Sequence, residues 1–250
     1  MTGLAKAVVV IPTYNERENI GRLVGEIENL RLDLDILFVD DNSPDGTGEF
    51  AEAIARTNPA VRVLRRPAKE GLGRAYKAGL LEALERGYEV ILQMDADLSH
   101  DPATLPVLLA KIGEYDAVFG SRYYRGVRVF NWSFKRLLLS KLSNEFIRIG
   151  LRISSTDTTT AFKAFRRPVL EIVDVRRLKG KYNAFLIELV YFVVKGGFKT
   201  AEIPFTFRER ESGESKMRLA VALESLFTVF KLRLCASRNL KAIRRRRALV

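Results

Sequence analysis

Two aspartates, Asp95 and Asp97, stand two residues apart in Met94-Asp95-Ala96-Asp97-Leu98-Ser99-His100, directly behind an apolar run. In extended backbone successive side chains alternate, so this spacing sends both carboxylates the same way. Two like charges held close are costly unless a cation lies between them, and carboxylate oxygens suit Mg²⁺ or Mn²⁺. A pair of this kind beside a nucleoside diphosphate would neutralise a leaving group. The plainer alternative makes both residues turn and capping acids.

Three further groups carry chemistry of the same kind. Asp40-Asp41-Asn42-Ser43-Pro44-Asp45-Gly46-Thr47 follows another apolar run. Asx residues before Pro and Gly are ordinary turn formers, although a carboxylate there can also accept from a base or a ribose hydroxyl. Arg122, with Lys135, Arg136 and Ser140 spaced to share a helical face, would cradle an anion; the alternative is a solvated basic face. The polar stretch from Arg208 to Lys216 has Gly213 as a hinge, and reads either as a lid carrying Arg210 and Lys216 onto phosphates or as a surface loop. A single histidine, His100, excludes a histidine-rich metal site and reads as support for the acidic turn. A single cysteine, Cys235, excludes an internal disulfide and favours a reducing compartment.

Elements able to hold these groups alternate along the first half of the chain. Strands are expected at 7–11, 36–39, 61–64, 90–94 and 117–119, with helical periodicity between them, as in Ile20, Leu23, Val24, Ile27 and Leu30. Asp101 is the expected N-cap of a helix opened by Pro102. Val/Ile/Leu strands separated by helices mean a mostly parallel sheet covered on both faces, with sites at the carboxyl ends of its strands. The glycine-rich turn of a dinucleotide-binding unit is absent after the first strand, where Pro12-Thr13-Tyr14-Asn15-Glu16 stands instead. Gly71-Leu72-Gly73 opens a helix without continuing that pattern. Later come a helix over 132–148, a segment from Asp157 to Phe165, a helix around 182–194, an edge-like strand at 200–207 and a helix over 217–234. The last carries an apolar stripe of Leu219, Leu223, Leu226, Phe227, Phe230 and Leu234, suited to core packing or to lying in a membrane interface. The first residues read as a strand, not a targeting segment, and no apolar stretch is long enough to span a bilayer.

The 250 residues carry a formal charge of +12. Residues 122–152 hold eight basic residues against the one acid Glu145, and Arg238, Lys241 and Arg244 to Arg247 crowd the end. The remainder is close to neutral. Tyr123, Tyr124, Phe130 and Trp132, interleaved with the first patch, keep a nucleic-acid-binding module in view, which predicts salt-steep binding to oligonucleotides.

Taken in order, PTYNE, VDDNSPDGT, GLGRAYKAG, MDADLSH, GSRYY, the Asp157 segment and RERESGESK resemble the dolichol-phosphate mannosyltransferase branch of the family 2 glycosyltransferases. The resemblance spans roughly residues 6–235. It implies an α/β GT-A fold with a Rossmann-like nucleotide-binding half, as one domain over 1–237 that includes the helix at 217–234, followed by a basic tail at 238–250. It implies an inverting, metal-dependent transfer of mannose from GDP-mannose to dolichyl or polyprenyl phosphate. By position, Pro12, Tyr14, Glu16, Val39 and Asp41 match residues that hold the nucleoside. Asp95, Ala96 and Asp97 match the DxD element, with Ser99 near the metal, Mg²⁺ or Mn²⁺. Arg122 matches an arginine near the reacting phosphates, Arg136 and Ser140 match acceptor-phosphate ligands, and Arg210 and Lys216 match a loop that closes on the diphosphate. Asp97, Asp95 and Arg122 are the expected catalytic residues. The expected partners are the nucleotide sugar, the lipid phosphate and a membrane surface, with a membrane-anchoring subunit as a further candidate and no nucleic acid. The expected location is the cytoplasmic face of a membrane, held peripherally. One departure bears on the sugar: Thr158-Thr159-Thr160-Ala161 stands where the family usually has Ser-Gly, a variant shared with related polyprenyl-phosphate hexosyltransferases, so UDP-glucose is a rival donor.

Overall fold

A computed structural model of the chain describes residues 6–208 and 219–249. Its seven-stranded sheet comprises β1 (Ala7–Thr13), β2 (Leu34–Asp40), β3 (Val61–Arg65), β4 (Val90–Gln93), β5 (Ala117–Ser121), β7 (Lys163–Arg166) and β8 (Thr200–Pro204), in the order β3-β2-β1-β4-β7-β5-β8. A two-stranded ribbon pairs β6 (Val129–Phe130) with β9 (Phe207–Arg208). All five strands expected in the first half are present, and every pairing in the large sheet is parallel except those of β7, which runs against both β4 and β5.

Alternation along β1 divides the core. Val8 and Val10 face α3 (Leu72–Glu85) and α7 (Asn183–Gly196), whereas Ala7, Val9 and Ile11 face α1 (Arg17–Glu28) and α4 (Leu105–Ile112). Both layers are apolar because each strand is buried on two sides. Asp101 caps as expected, its carboxylate accepting the Ala103 N–H at 2.9 Å, and a short 3₁₀ turn over Pro102–Thr104 precedes α4. The glycines of Gly71-Leu72-Gly73 serve packing. A Cβ on Gly73 would lie 2.5 Å from Cβ of Phe185, and Gly71 adopts φ +109° with the Lys181 carbonyl 2.7 Å from where its Cβ would be. Only glycine lets the start of α3 approach the 181–185 segment so closely.

One expectation narrows and another changes. Of the apolar stripe on α8 (Leu219–Cys235), the described side chains Leu226, Phe227, Phe230 and Leu234 are exposed, as the interfacial alternative expects, while Val229 and Leu232 turn inward. The polar side of the helix is used inside, where Glu224 accepts the Lys181 N–H at 2.9 Å and Lys231 lies 3.5 Å from buried Glu188. The residues read as a basic tail instead form α9 (Ser237–Arg247), packed on α7 and on α6 (Arg167–Val173) through buried Ile243. Arg244 donates to the Lys195 carbonyl at 3.2 and 3.1 Å, and Arg246 donates to the Ile172 carbonyl at 3.4 Å. These arginines satisfy the free carbonyls at the negative ends of α7 and α6, which is why a run of like charges docks here instead of remaining a tail.

Candidate active site

The turn after β4 is built around a buried histidine. His100 is fully buried, stacked on Phe162 at 4.9 Å and edge-on to Phe205 and Phe207. Its Nδ1 accepts the Asp95 N–H at 3.0 Å, which leaves the ring proton on Nε2, 3.1 Å from the Thr160 hydroxyl. Burial pushes the imidazole below its usual value, so the ring is neutral and cannot compete for a carboxylate. Tyr76 donates to Asp95 Oδ1 at 2.7 Å; burial first, and then Asp95 itself, hold that phenol well above the ordinary tyrosine range. Asp97 Oδ1 accepts the Ser99 N–H at 3.1 Å and hydroxyl at 2.5 Å. Ser99 thus braces Asp97 from a buried position. Asp95 is 24% exposed on its side chain, and among the described residues no lysine or arginine lies within ion-pair distance of it.

Among the described residues no group of three or more His, Cys, Asp or Glu is placed to hold a metal. The donor set nevertheless fits Mg²⁺ or Mn²⁺. These ions are commonly held by one or two carboxylates and completed by substrate phosphate oxygens, and Asp95 and Asp97 supply two carboxylates beside a neutral histidine.

The turn after β2 is closed on itself. Buried Asp40 accepts from Thr13 Oγ1 (3.1 Å), the Ser43 N–H (3.1 Å) and Ser43 Oγ (2.5 Å), with Arg65 Nε at 3.4 Å. Asp45 accepts from the Thr47 N–H and hydroxyl at the start of α2 (Thr47–Thr57), and also from the Arg17 N–H at 3.3 Å. Asp41 pairs with Arg66, which also reaches Glu70. Burial raises the Asp41 carboxyl above its usual value against the pull of Arg66. Pro12 and Val39 are register partners buried at the ends of β1 and β2. Tyr14 lies under the Lys69 ammonium at 3.6 Å, and Glu16 accepts from Asn19 at 2.7 Å. The five nucleoside candidates therefore gather at the ends of β1 and β2, next to the Asp95 turn on β4.

The third part belongs to β5 and α5 (Phe134–Leu151). Arg122 is buried and bound by Asp157 through Nε (2.7 Å), Nη2 (2.8 Å) and its own backbone N–H (3.1 Å), with Thr159 Oγ1 at 2.8 Å. Burial works against both charges, and each outweighs it for the other: Asp157 is held below the ordinary carboxylate value, and Arg122 above the ordinary guanidinium value. Trp132 lies between two cations, with the Arg136 guanidinium 4.2 Å and that of Arg122 5.5 Å from its ring centre. Ser140 accepts from the Tyr123 hydroxyl at 2.6 Å. Lys135 is exposed. Arg122 is thus set beneath the cradle, and Arg136 and Ser140 form its half-buried upper part. Phe207 joins the two sides of the site: it packs on His100 at 6.0 Å and on Trp132 at 5.3 Å, and the neighbouring Arg208 N–H donates to the Ser99 carbonyl at 3.2 Å. Arg210 and Lys216 lie outside the described residues.

Some residues that build the site were not singled out from the sequence. Asn144 is buried in α5; its Oδ1 accepts the Thr158 N–H at 2.9 Å, and its Nδ2 donates to the Ser140 carbonyl and Thr159 Oγ1, both at 3.2 Å. The signal was present, since Arg136, Ser140 and Asn144 follow one another at the four-residue helical spacing. Tyr76, Arg66 and Asp157's bidentate hold on Arg122 had no local signal.

Residues 8–173 match the glycosyl transferase family 2, and the chain belongs to that family. It is a glycosyltransferase with the GT-A fold. The chain is 43% identical over 226 residues to the polyprenol monophosphomannose synthase of Mycolicibacterium smegmatis, covering 90% of this chain and 85% of that one. It is 39% identical over 231 residues to the undecaprenyl-phosphate mannosyltransferase of Micrococcus luteus, covering 92% and 95%. A crystal structure of glucosyl-3-phosphoglycerate synthase from Mycobacterium tuberculosis, in complex with Mn²⁺, UDP and phosphoglyceric acid, superposes with a TM-score of 0.69 at 16% identity, covering 91% of this chain and 78% of that one. That likeness shows the fold.

Proposed function

We propose that the chain transfers mannose from GDP-mannose to a polyprenyl or dolichyl phosphate, with inversion at the anomeric carbon, on a membrane surface. One observation carries this reading: an acidic turn and a basic cradle share one end of the sheet, and the helix of the cradle continues into an exposed apolar face. Both relatives compared above are named for polyprenyl-phosphate mannose chemistry.

In this reading Pro12, Tyr14, Glu16, Val39 and Asp41 hold the nucleoside. Ala96 carries the backbone past the diphosphate. Asp95 and Asp97, braced by Tyr76, His100 and Ser99, hold Mg²⁺ or Mn²⁺, which supplies charge neutralisation to the departing nucleoside diphosphate. Arg210 and Lys216 add positive charge to the same group. Arg136 and the Ser140 hydroxyl bind the acceptor phosphate, and Arg122 fixes Trp132 and the Asp157 segment beneath them. An acceptor phosphate oxygen forms the bond to C1 of mannose as the bond from C1 to the diphosphate oxygen breaks, and GDP leaves with the electron pair. The phosphate monoester is already ionised near neutral pH, so no general base is needed. Catalysis is positioning and electrostatics.

The lipid requires a surface. On α5, Phe134, Leu139, Leu142 and Ile149 are more than half exposed, and Phe146 meets Phe230 of α8 at 6.5 Å, so the two helices form one apolar face. Exposed Lys135, Lys141 and Arg152 border it, a combination that suits anionic headgroups around buried apolar side chains. Among the described residues no helix is long and apolar enough to cross a membrane. The reading puts the enzyme on the cytoplasmic face, peripherally, with an anchoring subunit as an additional tether.

The test is a competition of radiolabelled GDP-mannose and UDP-glucose with polyprenyl phosphate and Mg²⁺. Lipid-extractable label from GDP-mannose alone is expected. Label from UDP-glucose would replace the donor, and no lipid label with tight oligonucleotide binding would overturn the reading.

A further inference from the structure

Lys163 is the first residue of β7 and is fully buried. It stands opposite Gln93 of β4 and Phe119 of β5, so the three side chains share one face of the sheet. Its ammonium donates to the Thr160 carbonyl. Gln93 is also fully buried, and among the described residues neither its Oε1 nor its Nε2 has a hydrogen-bond partner. A lysine and an unsatisfied amide side by side inside a sheet are expensive, and apolar side chains would pack there at less cost. Burial first, and Arg122 after it, push the lysine down to about 8, while Asp157, Glu202 and Asp95 favour its charged form.

The topology explains the location. β7 is the one strand of the large sheet that runs against its neighbours, so it begins where β4 and β5 end. Asp95 lies two residues beyond Gln93 on one side, and Arg122 follows β5 on the other, bound to Asp157 from the segment that leads into β7. We propose that Lys163 is a positioning residue for the transfer reaction: its ammonium, flanked by Gln93, lies between the donor-side carboxylate Asp95 and the acceptor-side pair Arg122–Asp157 and sets the electrostatic potential at both. This rests on the donor and acceptor placement proposed above. A fixed positive charge there opposes a cation on Asp95 and favours an anionic phosphate beside Arg136. Removing it shifts the two affinities in opposite directions, which a loss of packing would not do.

The test uses K163M, K163Q and K163R. Mn²⁺ binding in the presence of GDP is read by electron paramagnetic resonance of the free ion. Binding of geranylgeranyl phosphate in detergent is read from Trp132, the only tryptophan in the chain. K163M is expected to tighten Mn²⁺ and weaken the lipid phosphate, each by about threefold to tenfold, the scale of one nearby charge at an effective dielectric constant near 20. K163R should remain within about twofold of wild type on both, as a retained charge at that dielectric requires. K163Q, which removes the charge but keeps polar contacts, should repeat both shifts and decides the matter if K163M does not fold. Two unchanged constants, two constants weakened together, or K163R behaving like K163M would overturn the proposal. Failure of the wild-type protein to bind Mn²⁺ with GDP, or the lipid phosphate, would overturn the site reading itself and this inference with it.

Discussion

The turns after β2 and β4 look alike in sequence, since each places two or three aspartates at a parallel strand end. They differ in what surrounds the carboxylates. After β2, Arg65 and a set of hydroxyl and backbone donors hold Asp40 and Asp45 within the fold, while Asp41 is paired with Arg66 at the proposed nucleoside site. After β4 the donors near Asp95 are a phenol and a neutral imidazole, and the nearest ring nitrogen is 3.8 Å from its second oxygen. Asp40, met by Arg65 and by buried hydroxyl and backbone donors, holds the fold together. Asp95, which among the described residues meets a phenol and a neutral imidazole and no arginine or lysine, is suited to an incoming cation, and the protein prepares it by burying a histidine that stays uncharged.

Breaking the two turns separately should give opposite phenotypes. D97A is expected to lower turnover by about 10³-fold or more at a smaller cost in stability than D40A, since Ser99 alone of the named partners loses its acceptor. Near-normal turnover of D97A with Mg²⁺ would remove the metal role from this turn. D40A should do the reverse, costing about 2–4 kcal/mol of stability because Thr13, Ser43 and Arg65 lose a buried acceptor, with kcat per folded molecule close to wild type. Urea unfolding alongside an activity titration checks this, and a stable but inactive D40A would erase the contrast. D41N should be intermediate, raising the KM for the nucleotide sugar about tenfold with little change in kcat, the scale of one charged hydrogen bond. A changed kcat with an unchanged KM would argue against nucleoside binding.

The smallest effect concerns His100. Its folded value lies below its ordinary 6.5, so between those two values the unfolded chain binds more protons than the folded one. Its neutral form contributes stability fully above about pH 6.5, and that contribution falls away as the pH drops toward the folded value. For metal-free protein a loss of about 2–4 °C in melting temperature per kcal/mol is expected below pH 6.5, with less in H100N. An equal slope in H100N would assign the effect to other groups.

Much of this arrangement was legible along the chain. The alternation of Val/Ile runs with helical periodicity located five strands, because burial on both faces leaves a local hydrophobic signal. Asp101 capped where a Pro followed it, since capping is decided within a few residues. β7 gave no such sign: four residues, Lys163–Arg166, include a lysine and an arginine, and their strand character comes from the ladders of β4 and β5 on either side. The α8 stripe was legible as amphipathic but not as exposed, because exposure depended on α5 and α7 occupying its other side.

The sequence by itself determined which residue types were available for chemistry and at which strand ends they would lie, because strand period and turn composition are local properties. Tertiary structure decided what surrounds each aspartate, that Arg122 lies beneath the cradle, and that an antiparallel strand inserts a buried lysine between the two halves of the site. These outcomes depend on partners 19 to 70 residues away, as in Tyr76–Asp95 and Gln93–Lys163. A carboxylate's role follows from the charge and burial that other segments bring to it, and those segments meet only when the sheet is assembled.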